Sequence, residues 1–159
     1  MDDLITNLLS LLETQFSTTF KSYTYGKIIV PGGSSLPMIT VSPVKTEVSN
    51  SGTVRDKNLF TVRVTVMDNL KKYLDNTNGE GDKLDSLQQL VKWVEDRNSD
   101  GSVKDSTIIA VIRQNITASN AVLYNNNLDI NYDDYYVEGD FPTIRTEITF
   151  TAELRSDRK

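Results

Sequence analysis

The residue types that most enzymes use for catalysis are absent from this sequence. Its 159 residues include no cysteine and no histidine. This composition excludes disulfides, the usual zinc ligand sets and every Ser-His or Cys-His dyad. Only Asp, Glu, Lys and Tyr remain as candidate acids and bases. We therefore expect a protein that is not an enzyme and that needs no cofactor.

The clearest ligand-like motif is formed by Asp96, Asn98 and Asp100, with Gly101 directly after them. Oxygen ligands at alternate positions before a glycine turn are how an EF-hand loop wraps calcium. The twelfth position of such a loop needs a bidentate glutamate and is Thr107 here. The missing ligand favours a polar turn at the end of a helix, and it leaves the three residues as a weak calcium candidate.

A second group of carboxylates consists of Asp133, Asp134, Glu138 and Asp140. Paired carboxylates perform acid-base chemistry when a cleft pushes their pKa values apart. The sequence indicates no such cleft, and a solvated loop is the favoured interpretation. A subunit contact and a divalent-metal hydrolase centre are the alternatives.

Two amphipathic helices must position these groups. The first is predicted over residues 3–20, because Leu or Phe recurs there at every fourth position. The second is predicted over residues 82–97, where leucines and valines occupy one face. The isoleucine-rich segment after Thr107 fits a capped short helix or a buried strand, and its spacing favours the helix.

Alternating apolar and polar residues predict the strands. A hairpin is expected over residues 38–67 and a C-terminal strand over 143–154, with a short strand at 26–31. Residues 118–140 are predicted to be mostly loop. The expected fold is one α+β domain over residues 1–159, with a mostly antiparallel β-sheet, a long protruding hairpin and two or three flanking α-helices.

The hairpin tip, residues 44–58, is longer than a core-spanning strand pair requires. It is either a solvated loop or an arm that packs on a neighbouring subunit. The arm is slightly preferred, because long unpaired edges otherwise promote aggregation. The predicted contact residues in it are Lys45, Glu47, Arg55, Asp56 and Lys57.

A stretch rich in tyrosine and asparagine, residues 124–136, also has two interpretations. It either covers the core or forms an adaptable contact surface, since both residue types are enriched at protein interfaces. Tyr132, Tyr135 and Tyr136 are the candidate contact residues.

Charge and hydropathy limit the partners. With 22 acidic against 17 basic residues, the net charge is −5, so a broad basic surface for DNA is not expected. The acidic start of the chain differs from a signal peptide, and no run of about 20 apolar residues is present. We expect a soluble protein of a reducing cytosol without membrane association.

The order of the segments resembles the tail terminator and neck subunits of tailed bacteriophages over nearly the whole chain. The stretches that carry the resemblance are the N-terminal helix, the strand pair 38–67, the helix 84–96, the run 95–109 and the closing strand 141–152. In that family a sheet flanked by helices assembles as a ring, commonly a hexamer. The ring caps the finished tail tube, stops its growth and joins the tail to the head connector.

The resemblance implies self-association, contacts with a tail tube protein and with a head-completion or connector protein, and a lumen through which DNA passes without specific binding. It implies a location in the tail or neck of the virion after assembly in the host cytoplasm. It offers no active-site residues. A head-completion or stopper protein, or another minor tail protein, is the nearest alternative, and a calcium-responsive binding module is an alternative of another class.

Overall fold

The computed structural model describes residues 2–26, 33–50, 55–69, 86–119, 121–138 and 141–157. The described residues form three α-helices and a five-stranded sheet in the order β1-β2-β3-β5-β4. The bounds of these elements are α1 Asp2–Phe16, β1 Ser22–Tyr25, β2 Met38–Asn50, β3 Arg55–Asn69, α2 Ser86–Glu95, α3 Ile108–Ala118, β4 Val122–Glu138 and β5 Phe141–Asp157. Only the β1–β2 pair is parallel. The expected α+β class with a mostly antiparallel sheet is confirmed.

The core lies between one face of the sheet and the helices. Strands β3 and β5 place alternate residues on this helix-side face, as the two-residue period predicts. Val62, Val64 and Val66 of β3 are buried opposite the buried side chains of β5. The helices contribute the matching layer, which includes Ile5, Leu8, Leu12, Leu90, Val94, Ile108 and Ile112.

Helix α1 ends at Phe16, so the predicted extension of the helix to residue 20 is wrong. Ser17, Thr18 and Thr19 follow, and such residues compete with helical hydrogen bonding through their hydroxyls. The Thr19 N–H instead closes a turn on the Phe16 carbonyl at 2.8 Å. Phe20 is still buried, because the turn carries its ring to Trp93 with the centroids 4.9 Å apart.

Helix α3 settles the ambiguity of the isoleucine-rich segment in favour of the helix. The Thr107 hydroxyl caps it by accepting from the Ala110 N–H, which satisfies a free backbone donor. Asn115 on this helix is fully buried, and its amide donates to the Leu4 carbonyl at 3.0 Å. Asn115 therefore joins α3 to α1 through its buried side chain.

Residues 122–138, predicted to be mostly loop, form strand β4 instead. Leu128, Ile130 and Tyr132 pack on the helix-side core, while Asp129 is exposed between them. The pairing with β5 overrides the low strand propensity of the Asn and Asp residues. A register shift between residues 123 and 128 contains Asn125 with φ 56°, a conformation that asparagine tolerates.

The other boundaries differ by smaller amounts. Helix α2 ends at Glu95, two residues before the predicted end, and residues 82–85 lie outside the described residues. The strand predicted at 26–31 also falls mostly outside them, and a strand that the pattern did not predict, β1, precedes it. None of the described helices is long and apolar enough to cross a lipid bilayer.

Replacement of Leu8 tests the packing of α1 on the sheet. Leu8 is fully buried, so Leu8→Ala should lower the free energy of unfolding by about 2–5 kcal/mol. Asn7→Ala, at the exposed neighbouring position, should change it by less than about 0.5 kcal/mol. Denaturant unfolding of both variants measures the difference, and equal effects would contradict this packing.

Candidate functional site

The β2–β3 hairpin extends beyond the helix layer and forms an arm, defined here as residues 43–50 of β2 with their partners on β3 and β5. Residues 43–49 of β2 are all exposed, with Val44 at 48% and Val48 at 65% of their maximal exposure. The pairing nevertheless continues to Asn50 opposite Asp56. Residues 45–50 and 55–58 of the predicted tip are thus strand rather than the solvated loop that the sequence left open, and residues 51–54 lie outside the described residues.

Strand β5 accompanies the hairpin to its end. It pairs with β3 from Asn69 as far as Arg55, which lies opposite Asp157. The arm is consequently three strands wide, although the sequence predicted two. A third strand gives an extension the support that an isolated hairpin lacks in water.

The charged side chains that the structure describes in the arm are paired within it. Lys45 forms an ion pair with Glu47 on the same strand. The Lys57 ammonium lies 2.8 Å from the Glu153 carboxylate and 4.8 Å from the centroid of the Tyr124 ring. The Lys45–Glu47 pair is exposed, and exposed pairs contribute little to stability, so a contact with a partner could replace it at little cost.

The remaining predicted contact residues divide into two groups. Arg55, Asp56, Tyr135 and Tyr136 belong to β3 and β4, but their side chains lie outside the described residues. Tyr132 points to the helix side, where its hydroxyl donates to Glu95 at 2.8 Å. Burial, followed by this hydrogen bond, raises the pKa of Tyr132. Tyr132 therefore holds β4 against α2 through its side chain.

The sheet has two edges along which the described residues include no further strand. At one edge β1 pairs only with residues 38–41 of β2, so the rest of β2 has no strand on its outer side there. At the other edge β4 pairs only with β5. The second edge was not predicted, because Asn and Asp residues obscure the alternation of Leu128, Ile130 and Tyr132 that is its signal in the sequence.

The face of the sheet opposite the helices, called the open face here, carries threonines and paired charges. The Thr61 and Thr151 hydroxyls lie 3.0 Å apart across β3 and β5. Arg63 and Arg145 both approach Glu147, at 3.6 and 3.8 Å. An arginine that shares a carboxylate offers less attraction to a phosphate backbone than a free one.

The calcium candidate is a tight turn after α2. The Asp96 carboxylate accepts from the Lys104 ammonium at 2.6 Å and from the Arg97 N–H at 2.9 Å. Asp100 accepts from the hydroxyl and the N–H of Ser102, and the Asn98 amide donates to the Ser102 hydroxyl. Both carboxylates therefore accept hydrogen bonds from other groups of the protein. These bonds are typical of a polar turn, and calcium could bind only if they were broken.

The other carboxylate group lies on β4 and just beyond it. The strand contains Asp133, Asp134 and Glu138, but their side chains lie outside the described residues. Asp140 lies outside them entirely. Within the described parts of the chain, no three acidic side chains converge in a way that would hold a metal ion.

No protein-family model and no curated protein matches this chain. The arm and the two sheet edges are therefore interpreted from their geometry and from the resemblance in element order.

The Asp96–Lys104 pair can be tested by titration. The Lys104 hydrogen bond lowers the pKa of Asp96 below its ordinary value of 3.8. The ionised Asp96 carboxylate therefore stabilises the fold at pH values above its unfolded-state pKa, and this stabilisation is lost as the pH falls through its folded-state pKa. Lys104→Met should raise the pKa of Asp96 in a carboxyl NMR titration. Lys92→Met, which removes a weaker and more distant charge, is the control, and an equal shift in both variants would contradict the pairing.

Proposed function

We propose that this chain is a structural subunit that forms a ring at the top of a bacteriophage tail, where the ring caps the tail tube and joins it to the head connector. The observation that supports this proposal most is the placement of two free sheet edges on opposite sides of the molecule. One edge belongs to the projecting arm and the other to β4.

A ring requires two different surfaces on each subunit, since each copy contacts the next through a head-to-tail interface. The strand order β1-β2-β3-β5-β4 places the arm edge and the β4 edge three strand spacings apart, about 14 Å within one sheet. They face away from each other. This arrangement suits a heterologous contact that is repeated around a symmetry axis.

The order of elements adds independent support. The N-terminal helix, the long hairpin, the central helices and the long closing strand follow one another in an order that resembles that of tail terminator and neck subunits. That order is the basis of the resemblance, and an α+β sheet flanked by helices is the fold that the resemblance implies. A head-completion or stopper subunit has the same requirements, and it differs in the partner that it meets.

The electrostatics fit a conduit that DNA passes without being bound. The net charge is −5, and the described arginines on the open face share the Glu147 carboxylate. Phosphate affinity arises from lysines and arginines that displace counterions. We therefore expect weak affinity for duplex DNA at physiological salt.

Capping of tail tubes tests the proposal. The purified chain is added to its cognate tail-tube protein during polymerisation, and tube lengths are measured by negative-stain electron microscopy. The expected result is short tubes of narrow length distribution with added density at one end. In the control, the chain is added after polymerisation, and it should label ends without changing the lengths.

Two results would count against a terminator. Unchanged lengths with unlabelled ends would contradict the proposal. Binding to a purified connector with no effect on tubes would assign the chain to the stopper class instead.

A further inference from the structure

Two short strand segments lie level with each other at opposite edges of the sheet. Strand β1 is the outermost described strand on the edge that includes the arm, and β4 is the outermost on the other edge. The registers of the strand pairs place Tyr23 of β1 level with Tyr132 of β4, and Tyr25 level with Ile130. The residues that connect Tyr23 to Tyr132, one on each strand between them, are Ile39, Val66 and Thr146.

The two edge strands also run in opposite directions. Strand β1 is parallel to β2, and the three further pairs up to β4 are antiparallel. Rotation about an axis along the strands changes neither the direction of a strand nor its height. Such a rotation brings β4 of one copy beside β1 of the next as an antiparallel pair. Any offset along the strands would add a translation at each step and give an open helical assembly instead of a ring.

Strand β1 presents outward backbone groups at two residues. The Gly26 N–H donates to the Val41 carbonyl at 2.8 Å, so the backbone of Gly26 faces β2. Because the direction of the backbone groups alternates along a strand, Thr24 also faces β2. The N–H and C=O groups of Tyr23 and Tyr25 therefore face away from the sheet.

Strand β4 presents outward groups at the residues that are level with these two. The same alternation can be followed across the sheet from Val41, because the residue pairs 42–63, 64–148 and 149–129 face each other in succession. Asp129 consequently faces β5. The backbone groups of Ile130 and Tyr132 face outward, and they match those of Tyr25 and Tyr23.

The outward residues of both edges have their side chains on the helix side. Tyr23 and Ile130 pack on the core, the Tyr25 hydroxyl donates to α1 and the Tyr132 hydroxyl donates to α2. Residues that exchange hydrogen bonds across an antiparallel junction share a face. A junction of the two edges consequently places the helices of both copies on one side of a continuous sheet, as cyclic symmetry requires.

The charges of the two edges are opposite. Residues 21–27 contain two lysines and no acidic residue, whereas residues 128–134 contain three aspartates and no basic residue. Like-charged copies of either segment would repel each other, so the charges favour contact between different edges. Within residues 22–25 and 128–133 there is also no proline or lysine, the residues with which exposed edges are often protected from pairing.

From these matches we infer that the partner of each edge is a second copy of this chain, with β4 of one copy adding antiparallel to β1 of the next. This inference rests on the proposed ring and specifies its interface. Tyr132 lies opposite Tyr23 and Ile130 opposite Tyr25, and these two pairs exchange about four backbone hydrogen bonds. The Tyr25 side chain, which is 47% exposed in the single chain, becomes covered by Ile130.

Disulfide trapping tests the register. Thr24 and Asn131 would form the non-hydrogen-bonded pair between the two tyrosine-containing pairs, where the Cα atoms are about 4.5 Å apart. The chain contains no other cysteine, and β1 and β4 of one protomer are four strand spacings apart, about 19 Å, too far for an internal disulfide. Oxidised Thr24→Cys/Asn131→Cys protein should therefore give covalent dimers and higher multimers on a denaturing gel.

A matched variant controls for random collision. Thr24→Cys/Asn127→Cys also replaces an exposed asparagine of β4, but Asn127 lies four residues, about 13 Å, further along the strand. It should give few covalent multimers under the same oxidation.

A second pair of variants tests the backbone hydrogen bonds. Tyr25→Pro removes the outward N–H, which β1 does not use within its own sheet, whereas Tyr25→Ala keeps it and also removes the ring. Tyr25→Pro should raise the concentration at which half of the protein is assembled about tenfold above that of Tyr25→Ala. Sedimentation of the full chain over a concentration series measures this difference.

The outcomes separate the junction from the ring. Assembled wild-type protein, with no more cross-linking than the Asn127 control or with equal effects of both Tyr25 variants, would overturn the strand junction and leave ring formation standing. Wild-type protein that stays monomeric at every concentration would overturn both.

Discussion

The structure depends on the packing of the described helices against one face of the sheet. Alternate apolar residues of β3 and β5 turn toward α1, α2 and α3, and the residues between them are mostly polar, although Met67 is buried on the open face with Leu36 and Met38. This two-residue period fixes more than the core. Because side-chain direction and backbone direction alternate together, the helix layer also determines which N–H and C=O groups each edge strand presents. The contact surfaces are thus a consequence of how the core packs.

The sequence was informative where one period was strong and uninterrupted. The leucines of α1 and the valines of β3 predicted a helix and a strand that the structure contains. It was uninformative for β4, whose Asn and Asp residues disguise the alternation of Leu128, Ile130 and Tyr132 until β5 pairs with them. Strand β1 has only four residues, too few for a pattern. The role of Tyr132 depends on Glu95, 37 residues away, so no local spacing could indicate it.

In the proposed function, the candidate site acts through shape and backbone contacts rather than through reactive groups. The carboxylates most suggestive of chemistry, Asp96 and Asp100, have partners within their own turn. The described charged side chains of the arm form ion pairs with one another, and the Val48 side chain is exposed, where a neighbouring copy could cover it. These properties support the proposed role in assembly, in which the function arises when copies of the chain meet.

Native mass spectrometry of the full-length chain tests this account most directly, because it counts copies without assuming how they touch. The account predicts one closed assembly whose mass is a whole-number multiple of 17.9 kDa, with six copies as the number that the resemblance implies. A single species of 17.9 kDa at all concentrations, or an open series of masses without a preferred size, would contradict a closed ring built from two complementary edges.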